Sequence, residues 1–261
     1  MSASDPLLDV GAIPRRVGVV LLRPKSPGNV GSVARAMKNM GFERLVIADP
    51  IRFDDPAHFE REARRLAWNA ADLLDQRQTV ASLDAALSPF HFVVGTTSNP
   101  LHAARVLTPR AVAREVVSRL VASSSSSVAL LFGQEDIGLT RDHLARCNIL
   151  GSVPSSTAYP SLNLSHAVLL FLYELRVGLL EQPADGASTV SEALPRREQV
   201  EGFFSRFENA LEEIGFLRGT AKGHMMRELR AILNRSVLTD RELAIFEGLI
   251  HRVLWNTRRG A

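Results

Sequence analysis

The chain has a single cysteine, Cys147, in 261 residues, which excludes an internal disulfide and argues against a cysteine-based metal site. Following Leu144 and preceding an apolar stretch, Cys147 reads as a small buried thiol. The seven histidines (58, 91, 102, 143, 166, 224 and 251) include no pair at zinc-ligand spacing, so no metal is expected. Long apolar runs are missing as well. The richest, Leu164 to Leu175, is too short and too interrupted by His166 and Glu174 to span a membrane. Residues Met1 to Gly11 have neither a basic segment nor an apolar core, so no signal peptide is expected and the predicted location is the cytoplasm. No G-x-G-x-x-G follows an apolar run and no Walker A lysine motif occurs, which disfavours a dinucleotide or nucleotide-phosphate site. There is no internal repeat.

What is present is ordinary for a soluble α/β domain with a small appendage: 46% apolar residues, 23% charged, net charge +3. Continuous apolar runs at Val17–Leu22, Leu45–Ala48, His91–Gly95, Val128–Phe132 and Ile149–Val153 predict strands buried on both faces of a mostly parallel sheet. Between them, Asn29 is a candidate cap for a helix closed by Gly41, with Val30, Val33, Ala34, Met37 and Met40 on one face. Helices are predicted over Phe59–Asp75 and Pro109–Val121, and Ser123 to Ser127 reads as a flexible surface connection. Strands alternating with helices place ligands at the carboxyl ends of the strands, where the polar loops 23–28, 96–100, 133–139 and 154–162 lie.

Residues 1–14 are expected to be loosely ordered and 15–181 to form the main domain. Residues 182–195, rich in Pro, Ala, Asp, Gly and Ser, read as a linker to a helical extension over 196–261. The extension holds an amphipathic helix with Phe203, Phe204, Phe207, Leu211 and Ile214, then helices near 222–235 and 239–256. Its basic residues Arg218, Lys222, Arg227, Arg230 and Arg235 face one acid, Glu228, in the same stretch, a local patch suited to a polyanion.

Residues 151–176 organise the rest. A loop of small polar residues and two prolines turns at Ser161 or Asn163 into a helix apolar on nearly every face. Such a helix start leaves outward N–H groups that can hold a ligand. The extra apolar faces predict packing against a second subunit, hence a homodimer. His166 within this helix reads as a core or interface histidine, and Tyr159 as either a packing aromatic or a stacking surface for a base.

Tyr159 to Val168 resembles the third signature of the SpoU/TrmH class of SPOUT RNA methyltransferases; Asn29–Arg35 and Phe132–Leu139 resemble the first and second, in the right order. The resemblance covers about residues 17–180, and the segments around Phe203, Ile214 and Met226 resemble the extension of TrmJ-type members. Gln134 and Pro160 depart from that pattern, which usually has Arg and Ser there. The resemblance implies a SPOUT-type parallel sheet with helices on both faces, a C-terminal deep trefoil knot and S-adenosyl-L-methionine as cofactor. It also implies methyl transfer to a ribose 2′-hydroxyl of tRNA, at nucleotide 32 of the anticodon loop. The rival readings are a ribosomal RNA methyltransferase of the same superfamily and an RNA-binding protein with a degenerate donor pocket. By position, Thr96, Thr97, Ser98, Gly133, Gly138, Leu139, Val153, Ser161 and Leu162 would bind the donor. Arg35, Asn29, Ser161, Asn163 and Glu135 would form the catalytic set, with Glu135 as a positioning acceptor. Arg35 would be essential: arginine is normally too basic to accept a proton, so it would be deprotonated through RNA phosphate or would orient the hydroxyl and stabilise the alkoxide. In the family this arginine is proposed to reach the donor bound by the other subunit.

Overall fold

A computed structural model describes residues 11–98, 106–182 and 193–260. Most of the expected linker, most of the expected loose N-terminus, and Asn99 and Pro100 of the ligand loop 96–100 therefore lie outside the described residues. Among the described residues seven parallel strands form one sheet in the order β3-β2-β1-β6-β4-β7-β5. They are β1 (Val17–Leu22), β2 (Arg44–Ala48), β3 (Gln78–Val80), β4 (Phe92–Thr96), β5 (Val106–Leu107), β6 (Val128–Phe132) and β7 (Ile149–Gly151). The five strands expected from apolar runs are the inner ones. The two that the sequence conceals, β3 and β5, are short edges with little burial, and no apolar run marks them.

One face of the sheet carries α1 (Pro27–Met40), α2 (Pro56–Ala67), α3 (Ala71–Gln76), α5 (Pro109–Ala122) and α7 (Leu164–Leu180) over the larger core. The other carries α4 (Leu83–Leu87) and the one-turn α6 (Arg141–Leu144), with a smaller core that includes Cys147. Burial pushes the Cys147 thiol up to about 12, which makes it inert near neutrality. The apolar excess of α7 has an internal explanation: Val168, Phe171, Leu172, Leu175 and Leu179 are buried within the chain, and Leu170 and Tyr173 remain exposed. His166 is exposed, which corrects the core reading of that residue.

Three local expectations are corrected. Ser26, with Pro27 behind it, caps α1, and its Oγ accepts the Asn29 N–H at 3.3 Å; Asn29 therefore sits inside the first turn with its side chain available. The helix expected over 59–75 breaks at Trp68, where φ is 52° and ψ −124°, into α2, a 3-10 turn and α3. That conformation costs a tryptophan about 1–3 kcal/mol. The serine tract is pinned: the Arg16 guanidinium donates to the carbonyls of Leu120 and Ser123 at 2.6 Å, and the Ser127 hydroxyl to that of Pro89 at 3.2 Å.

The C-terminal α8 (Arg197–Glu213), α9 (Lys222–Ser236) and α10 (Asp240–Gly260) form a small core around Phe203 and Phe204. A buried polar network joins this unit to the sheet. Arg197, 2% exposed, donates to Asn234 Oδ1 at 2.8 Å and to Glu201 at 3.0 Å. Asn234 donates to the Ala145 carbonyl at 2.6 Å, and Asn148 donates to the Asn234 carbonyl at 3.0 Å while accepting the Val93 N–H at 2.8 Å. Removing the Asn234 side chain takes one buried acceptor from Arg197, which keeps Glu201, and takes the side-chain donor from the Ala145 carbonyl. Asn234→Ala is therefore expected to lose about 2–4 kcal/mol of stability in urea unfolding; a loss below about 1 kcal/mol, the worth of one ordinary hydrogen bond, would contradict the role given to the network.

Candidate functional site

Past the carboxyl ends of β4, β6 and β7 lies a cavity of about 250 Å³. Its walls are Thr96–Ser98, Phe132–Leu139, Gly151, Val153, Pro160–Leu162, Leu164, Ala167 and Phe171. The floor is the edge-on contact of Phe132 with Phe171, ring centroids 5.9 Å apart. Thr96 Oγ1 is turned onto the Leu131 carbonyl at 3.0 Å, and the Thr97 N–H onto that of Gly151 at 3.0 Å.

The loop after β6 folds back on itself. A Cβ on Gly133 would collide with the backbone of Gly138 and Leu139, so glycine is required there by close approach, while Gly138 is required by its φ of 63°. The Gly138 N–H closes the turn on the Gln134 carbonyl at 2.8 Å, and Gln134 itself is buried.

Glu135 fastens this loop to the start of α1. Its carboxylate accepts the Lys25 N–H at 2.8 Å, the Ser26 N–H at 3.0 Å and the Asn29 side-chain amide at 3.0 Å. Asn163 continues the chain: its amide donates to Asn29 Oδ1 at 2.8 Å, and its own Oδ1 accepts the Ser165 N–H at 2.9 Å as the cap of α7. Burial pushes the Glu135 carboxyl up, but the Asn29, Lys25 and Ser26 donors outweigh it and hold it below the ordinary carboxylate value. Beside it, Lys25 pairs with Asp136.

All nine residues expected to bind the donor line this one cavity. Of the expected catalytic set, Glu135 and Ser161 line it, and Asn29 and Asn163 stand behind Glu135. Arg35 does not: it is exposed on α1 and has no hydrogen bond or ion pair among the described residues. Among the described residues no lining residue is basic, and the carboxylates of Glu135 and Asp136 are among the walls, which suits a cationic or neutral ligand better than a polyphosphate. Tyr159 is 79% exposed, which leaves it no packing role within the chain. Sequence reasoning missed the anchoring backbone of Lys25 and Ser26; the polar composition of loop 23–28 is the only signal that pointed there.

The SpoU rRNA Methylase family model matches residues 16–173, more than half of the chain and all of the cavity. The chain belongs to the SpoU methylase family. A second model, the C-terminal domain of tRNA methyltransferase TrmJ, matches residues 198–261 of this SpoU-family chain. It is 36% identical over 238 residues to the tRNA (cytidine/uridine-2′-O-)-methyltransferase TrmJ of Sodalis glossinidius, covering 90% of this chain and 89% of that one. To the tRNA (cytidine/uridine/adenosine-2′-O-)-methyltransferase TrmJ of Pseudomonas aeruginosa it is 34% identical, with 90% and 92% covered. Among solved structures, TrmJ from Z. mobilis superposes with a TM-score of 0.76 at 26% identity, covering 90% of this chain and 98% of that one.

The depressed carboxyl of Glu135 gives a test of the joint. Its contribution to stability is complete above the ordinary carboxylate value, about 4.3, and is lost as pH falls through the lower folded value. Glu135→Gln is expected to be less stable than the parent by an amount constant from neutral to mildly acid pH that shrinks below about pH 4. Urea unfolding across pH checks it, and a deficit that grows on acidification would contradict it.

Proposed function

We propose that the chain transfers a methyl group from S-adenosyl-L-methionine to a ribose 2′-hydroxyl of tRNA, at nucleotide 32 of the anticodon loop. The observation that carries the reading is the convergence of the three signature segments on one cavity with no basic side chain among its described lining residues, joined through Glu135, Asn29 and Asn163. Its lining fits a bent sulfonium-bearing nucleoside: the bare Gly133 backbone leaves room for close approach, hydroxyls lie at Thr96–Ser98 and Ser161, and aliphatic walls are supplied by Leu139, Val153 and Leu162. When bound, the donor supplies an activated methyl group whose leaving group is a neutral thioether. The tRNA class follows the relatives' names and the match of the C-terminal segment. The family model over residues 16–173 is named for rRNA, but the relatives at 34–36% identity and the match of the C-terminal segment favour tRNA over a ribosomal substrate.

The same reading takes residues 15–181 as the catalytic domain, knotted through the loop after β7, and 196–261 as an RNA-binding extension working in the cytoplasm. Two copies would form the enzyme, meeting at the outer face of α1 and α7, where Arg35, His166, Leu170 and Tyr173 are exposed. Arg35 of one copy would then face the 2′-hydroxyl held at the partner's cavity, orienting it and stabilising the alkoxide as the proton leaves.

Mass spectrometry of tRNA incubated with enzyme and donor tests the activity: a single 2′-O-methyl at nucleotide 32 is expected, and unchanged tRNA overturns it. In the same assay under single turnover, Arg35→Ala is expected to lose at least about a hundredfold in rate while still binding S-adenosylhomocysteine in calorimetry. Arg35→Lys should recover little, since an ammonium lacks the planar fork. Near-normal rates in Arg35→Ala would remove Arg35 from the reaction.

Of the five expected RNA contacts, Lys222 pairs with Glu208 and Glu212, Arg227 with Asp142, and Arg230 with Glu201 while stacking on Phe204. Arg218 and Arg235 are exposed with no ion pair among the described residues. They are the cleaner probes of phosphate contact. Replacing both by Gln is expected to weaken tRNA binding and to lower the slope of log affinity against log salt by about two, with S-adenosylhomocysteine binding unchanged. An unchanged slope would take the extension out of the interface.

A further inference from the structure

Trp68 combines two features that neither the core nor the cavity explains: it is 69% exposed, and its backbone is held at φ 52°, ψ −124°, a region suited to glycine. Burial does not offset that strain within the chain, and among the described residues the ring has no aromatic or cationic partner. Its place on the surface is set by α1. Gly31 lies against the Ala67 backbone, where a Cβ would come within 3.0 Å of the Ala67 nitrogen. Lys38 donates to the Asn69 carbonyl at 2.8 Å and to Asp72 at 2.7 Å. Arg35 is one turn beyond Gly31 and one turn before Lys38 on the same side of the helix, and Trp68 lies between Ala67 and Asn69 in the facing segment. The break in α2 therefore places an exposed indole in the segment packed against the side of α1 that carries the exposed Arg35.

We infer that Trp68 is a stacking platform for a nucleobase of the RNA substrate adjacent to the ribose that Arg35 addresses. A flat, sequence-tolerant π-surface in a segment packed on the side of α1 that carries an exposed cation suits an unstacked loop base and its phosphate. The kink at Trp68 serves to turn the indole outward, where a regular helix would continue past this point. The inference rests on the methyltransferase reading for the location of the target ribose, but its test does not depend on methyl transfer.

The chain has two tryptophans, so Trp255→Phe leaves Trp68 as the one indole fluorophore. Titrating this protein with tRNA in the presence of S-adenosylhomocysteine is expected to quench the emission in proportion to occupancy. Trp68→Phe should keep most of the affinity, and Trp68→Gly should weaken tRNA binding by about tenfold or more. Glycine relieves the strained backbone, so the same Trp68→Gly variant should unfold no more easily than the parent; a merely structural tryptophan would lose stability and binding together. Quenching that persists although no methyl group is transferred would leave the platform standing and remove the enzymatic reading. Emission unchanged at saturating tRNA would overturn the platform. So would emission that changes on dilution without RNA, with Trp68→Gly sedimenting as a monomer where the parent is a dimer, because that outcome assigns the indole to a subunit contact.

Discussion

The carboxylate of Glu135 is the joint on which the site depends. It is half-buried, so desolvation opposes its charge, yet three N–H donors from the start of α1 hold it ionised. These donors include backbone groups of Lys25 and Ser26 at the entry to that helix, which would otherwise have to be satisfied by water. One side chain thus fixes where the loop after β6 stops, how α1 begins and, through Asn29 and Asn163, how α7 is capped. The cavity is the space left between these three attachments. Its width is set by the contact of Gly133 with Gly138, which closes the loop upon itself.

Much of this was legible in the residues, for a physical reason. Strands buried on both faces must be apolar throughout, so β1, β2, β4, β6 and β7 announce themselves, and parallel sheets put polar loops at one end. Short edge strands bury too little to leave such a trace, which is why β3 and β5 did not. The cap of α1 was misplaced because Asn29 and Ser26 are both good caps; Pro27, preset for the first helical position, decides for Ser26. The Trp68 break has no local signal at all, since the flanking sequence is a good helix former and only the approach of Gly31 to Ala63 and Ala67 fixes the path.

The charges of the extension were the least legible part. A basic stretch in sequence predicts a basic surface only if no acid from elsewhere neutralises it, and here Asp142 reaches Arg227 and Glu201 reaches Arg230 from far along the chain. The Arg197–Asn234–Asn148 network then sets the extension against the end of the chain leading into β7, on whose far side the cavity lies. Arg230 is consequently an internal strut that stacks on Phe204, and its loss would damage folding before it said anything of RNA.

The relation of Arg35 to the cavity is a matter of helix geometry. Asn29 and Arg35 are six residues apart on α1, so their side chains diverge by about 120° and are separated by about 9 Å along the axis. Asn29 is committed to Glu135 at the cavity wall, and this fixes the rotation of α1. Arg35 must then face away from the cavity of its own chain, towards the α2 edge where Gly31 and Lys38 make their contacts. No rotamer of an arginine undoes a rotation imposed by two hydrogen-bonded asparagines and a buried helix face. On the proposed reading the guanidinium and the donor cavity of one chain would therefore be halves of two different sites, and a two-fold arrangement of chains through α1 and α7 is the simplest symmetry that would complete both at once. On that arrangement the carboxylate joint has a second consequence: by fixing the rotation of α1 it would aim Arg35 at the partner, so that the group organising one cavity also positions the arginine that serves the other.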